Sequence, residues 1–202
     1  MKTTKQPLIT VVMPNYNGHR FVEQAIDSVL NQTYQNFELL VVDDCSKDDS
    51  LQLIQRKAQS DKRIRVIALE HNAGVANVRN RGIKEAKGKY IALLDNDDLW
   101  TKDKLERQLA IAERGADIVY CSYDFIDEQN KTIKKPFIVP QQTNFNKMLA
   151  SSVISCSSVC GPFPMTSVPS SSSRFSKRKM APMSQWCSVF IARSRRWIRM
   201  RP

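Results

Sequence analysis

Residues 90–100 read Tyr-Ile-Ala-Leu-Leu-Asp-Asn-Asp-Asp-Leu-Trp, an apolar run broken by four polar residues, three of them acidic, before the apolar character returns at Leu99 and Trp100. Carboxylates packed this closely repel one another, and a cation between them removes the repulsion. A second acidic pair, Asp43-Asp44, follows the apolar run 39–42. Hard oxygen donors without His or Cys suit Mg²⁺ or Mn²⁺, and such an ion in turn neutralises a diphosphate. The plainer reading is open at each piece. Asp and Asn after a strand are common turn formers, and Asp98 or Thr101 serves equally as the cap of a following helix. Tyr16 can be an ordinary surface ring, Arg79 a solvated helix charge and Gly74 a turn glycine, while His19 and His71 are isolated histidines suited to loops.

The elements that must position these residues alternate regularly. "LITVVM", "FELLVVDD", "IRVIAL", "YIALL" and "DIVYCSY" are short and rich in Val, Ile, Leu and aromatics, as buried parallel strands are. Between the first two, Val22, Ile26, Val29 and Leu30 form one apolar helical face. Ser46 with Asp49 has the spacing of a capping box opening a second helix; a third ends at Gly88 and a fourth at Gly115. The pattern predicts an α/β fold: a doubly wound, mostly parallel sheet with helices on both faces, whose ligands bind at the carboxyl ends of the strands. Four strand ends, "PNYNG", "DDCS", "EHNAG" and "DNDD", then open on one edge, where up to five carboxylates would meet in one crevice. A hairpin over 117–139 and a short helix over "FNKMLASSV" complete the body.

The net charge of +11 belongs to one segment. Residues 1–157 carry 22 Lys+Arg against 20 Asp+Glu, whereas 158–202 carry 9 Lys+Arg and no acid; Glu128 is the last acidic residue. The expected division is therefore a donor-binding domain over 1–157 and a basic Ser/Pro-rich segment over 158–202. That segment reads either as a disordered tail or as an out-of-frame stretch, and Trp186, Phe190, Ile191, Trp197 and Ile198 in it favour the second. Five scattered cysteines form neither a disulfide framework nor a paired metal motif. No apolar run approaches a membrane span, and the N-terminus lacks a secretory pattern, so a cytoplasmic chain with at most peripheral contact at the inner face of a membrane is expected.

Taken in order, "TVVMPNYNG", "SVLNQTYQNFELLVVDDCSKDDS" and "HNAGVANVRNRGIKEAKGKYIALLDNDD" resemble the family 2 glycosyltransferases, inverting enzymes of the GT-A fold that use nucleotide-diphospho-sugars; the resemblance spans about residues 7–125. It implies that Pro14 and Tyr16 frame the base pocket with Tyr16 stacking on the base, and that Asp44 reads the base edge. It further implies that Asn72 and Gly74 shape the nucleotide loop and that Arg79 approaches base or phosphates. Asp95 and Asp97 become the outer members of a DxD motif, Asp97 as the direct ligand of Mg²⁺ or Mn²⁺ and Asp95 nearer the ribose. The implied donor is a UDP-sugar, the implied acceptor a saccharide or lipid-linked saccharide of bacterial surface-polysaccharide assembly. The family also carries a later acidic stretch that supplies the base for the acceptor hydroxyl. With no acid after Glu128, the catalytic residue is unknown and the acceptor half is expected to be missing. Two other classes are open: a non-enzymatic nucleotide- or polyanion-binding protein acting through its basic segment, with no specific nucleic-acid site, and a nucleotidyltransferase, for which "PNYNGHR" has too few glycines.

Overall fold

In the computed structural model the described residues are 6–116 and 118–139, together with the backbone of four short strands at 160–162, 180–182, 188–192 and 196–197. The elements follow in order as β1 (Ile9–Asn15), α1 (Val22–Leu30), β2 (Phe37–Asp43), α2 (Ser50–Ser60), β3 (Ile64–Ala68), α3 (Val75–Glu85), β4 (Tyr90–Leu93), β5 (Leu99–Trp100), α4 (Lys104–Ala112), β6 (Ile118–Tyr120), β7 (Tyr123–Phe125), β8 (Cys160–Pro162), β9 (Met180–Pro182), β10 (Ser188–Ala192) and β11 (Arg196–Trp197). The main sheet runs β3-β2-β1-β4-β8-β6-β9. Its first four strands are mutually parallel.

Why the middles of β1, β2 and β4 are apolar at successive positions is plain from their two faces. Val11, Met13, Leu39, Val41, Tyr90 and Ala92 pack on one side with α1, α2 and α4. Val12, Ile91 and Leu93 meet Ile83 of α3 on the other, and Leu40 and Val42 meet Val78 of the same helix. A strand buried on both faces has no polar alternate position. The expected doubly wound α/β arrangement with helices on both faces is therefore the observed one.

Three local expectations are corrected. Ser46 and Asp49 make no capping box. Asp49 stands at the cap position of α2 without a side-chain bond, Ser46 Oγ donates instead to Asp43 Oδ1 at 2.6 Å, and it is Asp48 that accepts the Ser50 N–H at 3.0 Å. Gly88 does not end α3, whose C-cap is Ala86 in extended conformation. A Cβ at Gly88 would lie 2.5 Å from the Thr10 backbone nitrogen and 2.8 Å from the Leu8 carbonyl, so this glycine lets the chain pass close to β1. The fifth apolar run is not one parallel strand. It divides into β6 and β7, and β6 keeps the direction of β4 only across the intervening antiparallel β8. Gly115, by contrast, has φ +96 just past α4, the left-handed turn expected after a helix end. The hairpin over 117–139 is present in its described part, with Tyr123 and Phe137 exchanging backbone bonds at 3.1 and 2.8 Å. The short helix expected over 145–153 lies outside the described residues. So does the segment 158–202 apart from its four strands.

At the amino end of the strands, away from the polar rim, a buried polar cluster joins β1, β2 and β3. Glu38 accepts from Thr10 Oγ1 at 2.6 Å, from Arg65 Nη1 at 2.9 Å and from the Lys87 N–H at 2.8 Å. Burial alone would raise the Glu38 pKa; the Thr10, Arg65 and Lys87 donors outweigh it and hold the carboxyl below its ordinary value. A depressed carboxyl adds stability that is present above the unfolded value, about 4.3, and is lost as pH falls through the folded one. Glu38→Gln is expected to cost about 1.5–3 kcal/mol at neutral pH, the scale of hydrogen bonds to a charged group, and to lose less on acidification than wild type. Urea titrations between pH 3 and 7 measure this; parallel pH profiles would show the cluster to be energetically idle.

Candidate nucleotide-sugar site

The carboxyl edge of the parallel strands is laced together by one residue. β1 and β2 are in register with Asn15 opposite Asp43. The Asn15 amide donates to Asp43 Oδ1 at 2.7 Å, to Ser50 Oγ at 3.0 Å and, more distantly, to Ser46 Oγ at 3.2 Å. Its carbonyl Oδ1 accepts from Asn96 Nδ2, at the end of β4, at 2.7 Å. The loop after β1 is tied to that after β2 a second time, through Asn17 N–H to Ser46 Oγ at 3.0 Å and Lys47 N–H to Asn17 Oδ1 at 2.8 Å. Asn17 and Cys45, one in each loop, have positive φ of 50 and 58.

On this frame Tyr16 is 43% exposed. An aromatic ring left open beside buried polar residues is an available stacking face. Pro14, in contrast, is buried within β1. It falls beyond Val12, the last residue of β1 paired with β4, so its missing N–H removes no ladder bond. Asp44 is buried, and its two oxygens accept the Ala73 and Gly74 N–H groups at 2.7 and 3.0 Å, with Asn72 Nδ2 reaching its backbone carbonyl at 3.3 Å. Asn72 and Gly74, with φ +82 at Gly74, thus form a loop clamped over Asp44. Each carboxylate oxygen retains a second lone pair for an incoming N–H. Arg79 of α3 makes an ion pair with Asp95 at 2.5 Å. Asp97 is half-buried in the turn that follows, and Asp98 is wholly buried.

The expected five-carboxylate crevice is not what the structure has. Among the described residues no group of three or more His, Cys, Asp or Glu side chains is arranged to hold a metal ion. Asp43 faces inward onto Asn15 and Ser46, Asp44 is turned onto its loop, and Asp95 is matched by Arg79. Asp97 and, across the Arg79 pair, Asp95 are the residues of this turn that could hold a cation. The donor set fits a hard divalent ion in the manner of Mg²⁺ sites completed by substrate phosphates and water. His19 and His71 are exposed in loops.

Sequence reasoning missed two residues that organise the rim. Asn15 and Asn96 stood inside quoted motifs, but only their contacts across 81 residues reveal the function. Gln32 was also missed: its Oε1 accepts the Leu105 N–H at 3.0 Å and its Nε2 donates to the Thr101 carbonyl at 2.7 Å, so it caps α4 and anchors the segment following the acidic turn.

Parallel strands with helices on both faces and a polar rim at their carboxyl edge define a doubly wound α/β domain. Within that class the chain belongs to the family 2 glycosyltransferases: the family model described as "Glycosyl transferase family 2" matches residues 10–168, running past the 157/158 boundary. TuaG of Bacillus subtilis, named for teichuronic acid biosynthesis, is 35% identical over 158 residues, which are 78% of this chain and 63% of TuaG. WfgD of Escherichia coli, a UDP-Glc:α-D-GlcNAc-diphosphoundecaprenol β-1,3-glucosyltransferase, is 38% identical over 153 residues, 75% of this chain and 59% of WfgD. The chain therefore spans about six tenths of the length of these relatives. Staphylococcus aureus TarS 1–349 in complex with UDP-GlcNAc shares the fold, with TM-score 0.65 and 21% identity over 87% of this chain and 56% of TarS. The mannosyltransferase PcManGT of Pyrobaculum calidifontis, solved with GDP-Man and Mn²⁺, has TM-score 0.53 and 26% identity over 58% of this chain and 36% of its own. No helix among the described residues is long and apolar enough to cross a membrane.

Proposed function

We propose that this chain supplies the donor site of an inverting glycosyltransferase of bacterial surface-polysaccharide assembly. It binds a nucleotide-diphospho-sugar, a UDP-sugar in the first instance, and serves a saccharide or lipid-linked acceptor at the inner face of the membrane. One observation carries the reading: Asn15 ties β2, β1 and β4 into a single rim on which the clamped Asp44, the open Tyr16 ring and the turn bearing Asp97 stand in strand order. That order suits one extended ligand, with its base between Asp44 and Tyr16 and its diphosphate toward the Asp97 turn. Tyr16 stacks on the base, Asp44 accepts from its edge, and the loop at Asn72 and Gly74 encloses it, with Pro14 setting the direction of the chain into Tyr16. Arg79 orients Asp95 toward the ribose, or leaves it for the phosphates when the donor enters. Asp97, with Asp95, would hold Mg²⁺ or Mn²⁺, which when bound supplies positive charge to the leaving diphosphate; the Mn²⁺ and GDP-Man bound by PcManGT support the use of a divalent cation. The residue that deprotonates the acceptor is not among those assigned.

Tyr16→Ala and Asp44→Ala test the base pocket directly. Stacking and base-edge hydrogen bonds do not pass through the cation, so each variant is expected to weaken UDP binding in EDTA as well as in Mn²⁺. The expected loss for Tyr16→Ala is about 1–3 kcal/mol, the worth of a stacked base. Isothermal calorimetry measures both. Wild-type affinity in both variants would make the ring and carboxylate structural, and the donor-site reading would fall.

A further inference from the structure

The two amides that join the rim are sequence neighbours of the two ends of the proposed donor site. Asn15 precedes Tyr16, and Asn96 lies between Asp95 and Asp97. Asn15 is 1% exposed, and its amide nitrogen is committed to Asp43 and Ser50. The side chain therefore cannot invert without losing both bonds, and its Oδ1 is held facing the turn after β4, where it takes the Asn96 N–H at 2.7 Å. Gly18 closes the third side. A Cβ there would stand 2.2 Å from Asn96 Nδ2 and 2.3 Å from Asn15 Oδ1, so the loop after β1 touches both ends of this one hydrogen bond.

We infer that the Asn15–Asn96 hydrogen bond, with Gly18 against it, is a positioning device that fixes the Asp97 turn at a set distance from the Tyr16 base platform. This rests on the donor-site reading above. A nucleoside diphosphate must satisfy base and metal subsites at once, and its affinity gains from both only if their spacing is held before it binds. Asn96 itself touches neither base nor phosphate in this account; it acts through Asp97. Releasing the bond leaves each subsite chemically whole and loosens the spacing between them. The loss then falls on the extra affinity that metal confers on a diphosphate, while binding of a nucleoside, which uses the base platform alone, is preserved. A merely structural bond would divide its effects differently, lowering both alike.

The test titrates uridine, and UDP with and without Mn²⁺, into the full chain as wild type, Asn96→Ala and Gly18→Ala. The first variant removes the donor; the second keeps both amides and forces them apart. Both are expected to reduce the Mn²⁺-dependent gain in UDP affinity by about five- to tenfold, the scale of one partly buried hydrogen bond, with uridine affinity changed by less than about twofold. An unchanged gain in Asn96→Ala overturns the inference, as does an equal loss for uridine and UDP. Asn96 is only half-buried, so its variant still decides the matter if Gly18→Ala does not fold. Wild-type protein that fails to bind UDP in Mn²⁺ overturns the donor-site reading and this inference together, a result distinct from failure of the inference alone.

Discussion

Asp97→Ala is expected to abolish the metal-dependent part of nucleotide-diphosphate binding, leaving UDP with the same affinity in Mn²⁺ as in EDTA. Asp97 is half-buried in the turn, whereas Asp98 is wholly buried and Asp95 is ion-paired with Arg79. A hard divalent ion bound through few carboxylates and completed by phosphate oxygens depends on each charged ligand it has. The fold should not suffer. Relief of repulsion among Asp95, Asp97 and Asp98 offsets the contacts that the half-buried Asp97 side chain loses, so the melting temperature is expected to hold within a few degrees. Asp95→Ala should do less to metal binding, because its charge is already matched, and it should release Arg79. Calorimetry in Mn²⁺ and in EDTA, with thermal melts on the same samples, measures all of this. A surviving Mn²⁺ effect in Asp97→Ala would move the metal elsewhere and remove the DxD assignment.

What was legible in the sequence, and what was not, follows from the range of the interactions concerned. Strands buried on both faces announce themselves as continuous apolar runs, and the amphipathic spacing of Val22, Ile26 and Val29 predicted α1 and its buried face together. The strand ends were legible too, since polar residues after apolar runs in this fold must gather at one edge. Local grammar misled at Ser46 and Asp49, where spacing suited a capping box but Asp43, one strand end away, offered Ser46 a better partner. It misled again at Gly88, which looked like a helix terminator and is required by the approach of β1, a neighbour about 80 residues earlier in the chain. The five-carboxylate crevice failed for a related reason. Counting acids at an edge ignores where side chains point: Asp43 and Asp44 each turn onto amides and hydroxyls of adjacent loops, which satisfy a carboxylate without a cation. The organising contacts, Asn15 with Asn96 and Gln32 with the start of α4, join distant segments through short polar side chains. No periodicity records them.

The largest stability effect is expected at Asn15 itself, from Asn15→Asp. The side chain is buried and donates to Asp43 Oδ1 at 2.7 Å, so the substitution replaces a hydrogen bond by two carboxyl groups in contact. Held ionised, they amount to an uncompensated buried charge, worth about 3–5 kcal/mol of destabilisation. Held with one proton between them, they regain a hydrogen bond at the cost of keeping a carboxyl protonated at neutral pH. Either way one carboxyl of the variant has a folded pKa above its unfolded value near 3.9. A raised pKa contributes stability that is fully present below the unfolded value and is lost as pH rises through the folded one. The deficit relative to wild type should therefore be small near pH 4, widen as pH increases, and level off once the shared proton is gone. Asn15→Ala separates charge from contact: it loses the same donor but introduces no acid, so its deficit should stay constant over the same range. The titrations of Glu38, Asp48 and Asp61 are common to all three proteins and cancel in the differences. Urea unfolding of wild type and both variants from pH 4 to 8 measures the two curves. A deficit in Asn15→Asp that runs parallel to that in Asn15→Ala would mean that Asp43 can turn away from position 15, and that the rim is held by the Asn17, Ser46 and Lys47 bonds instead.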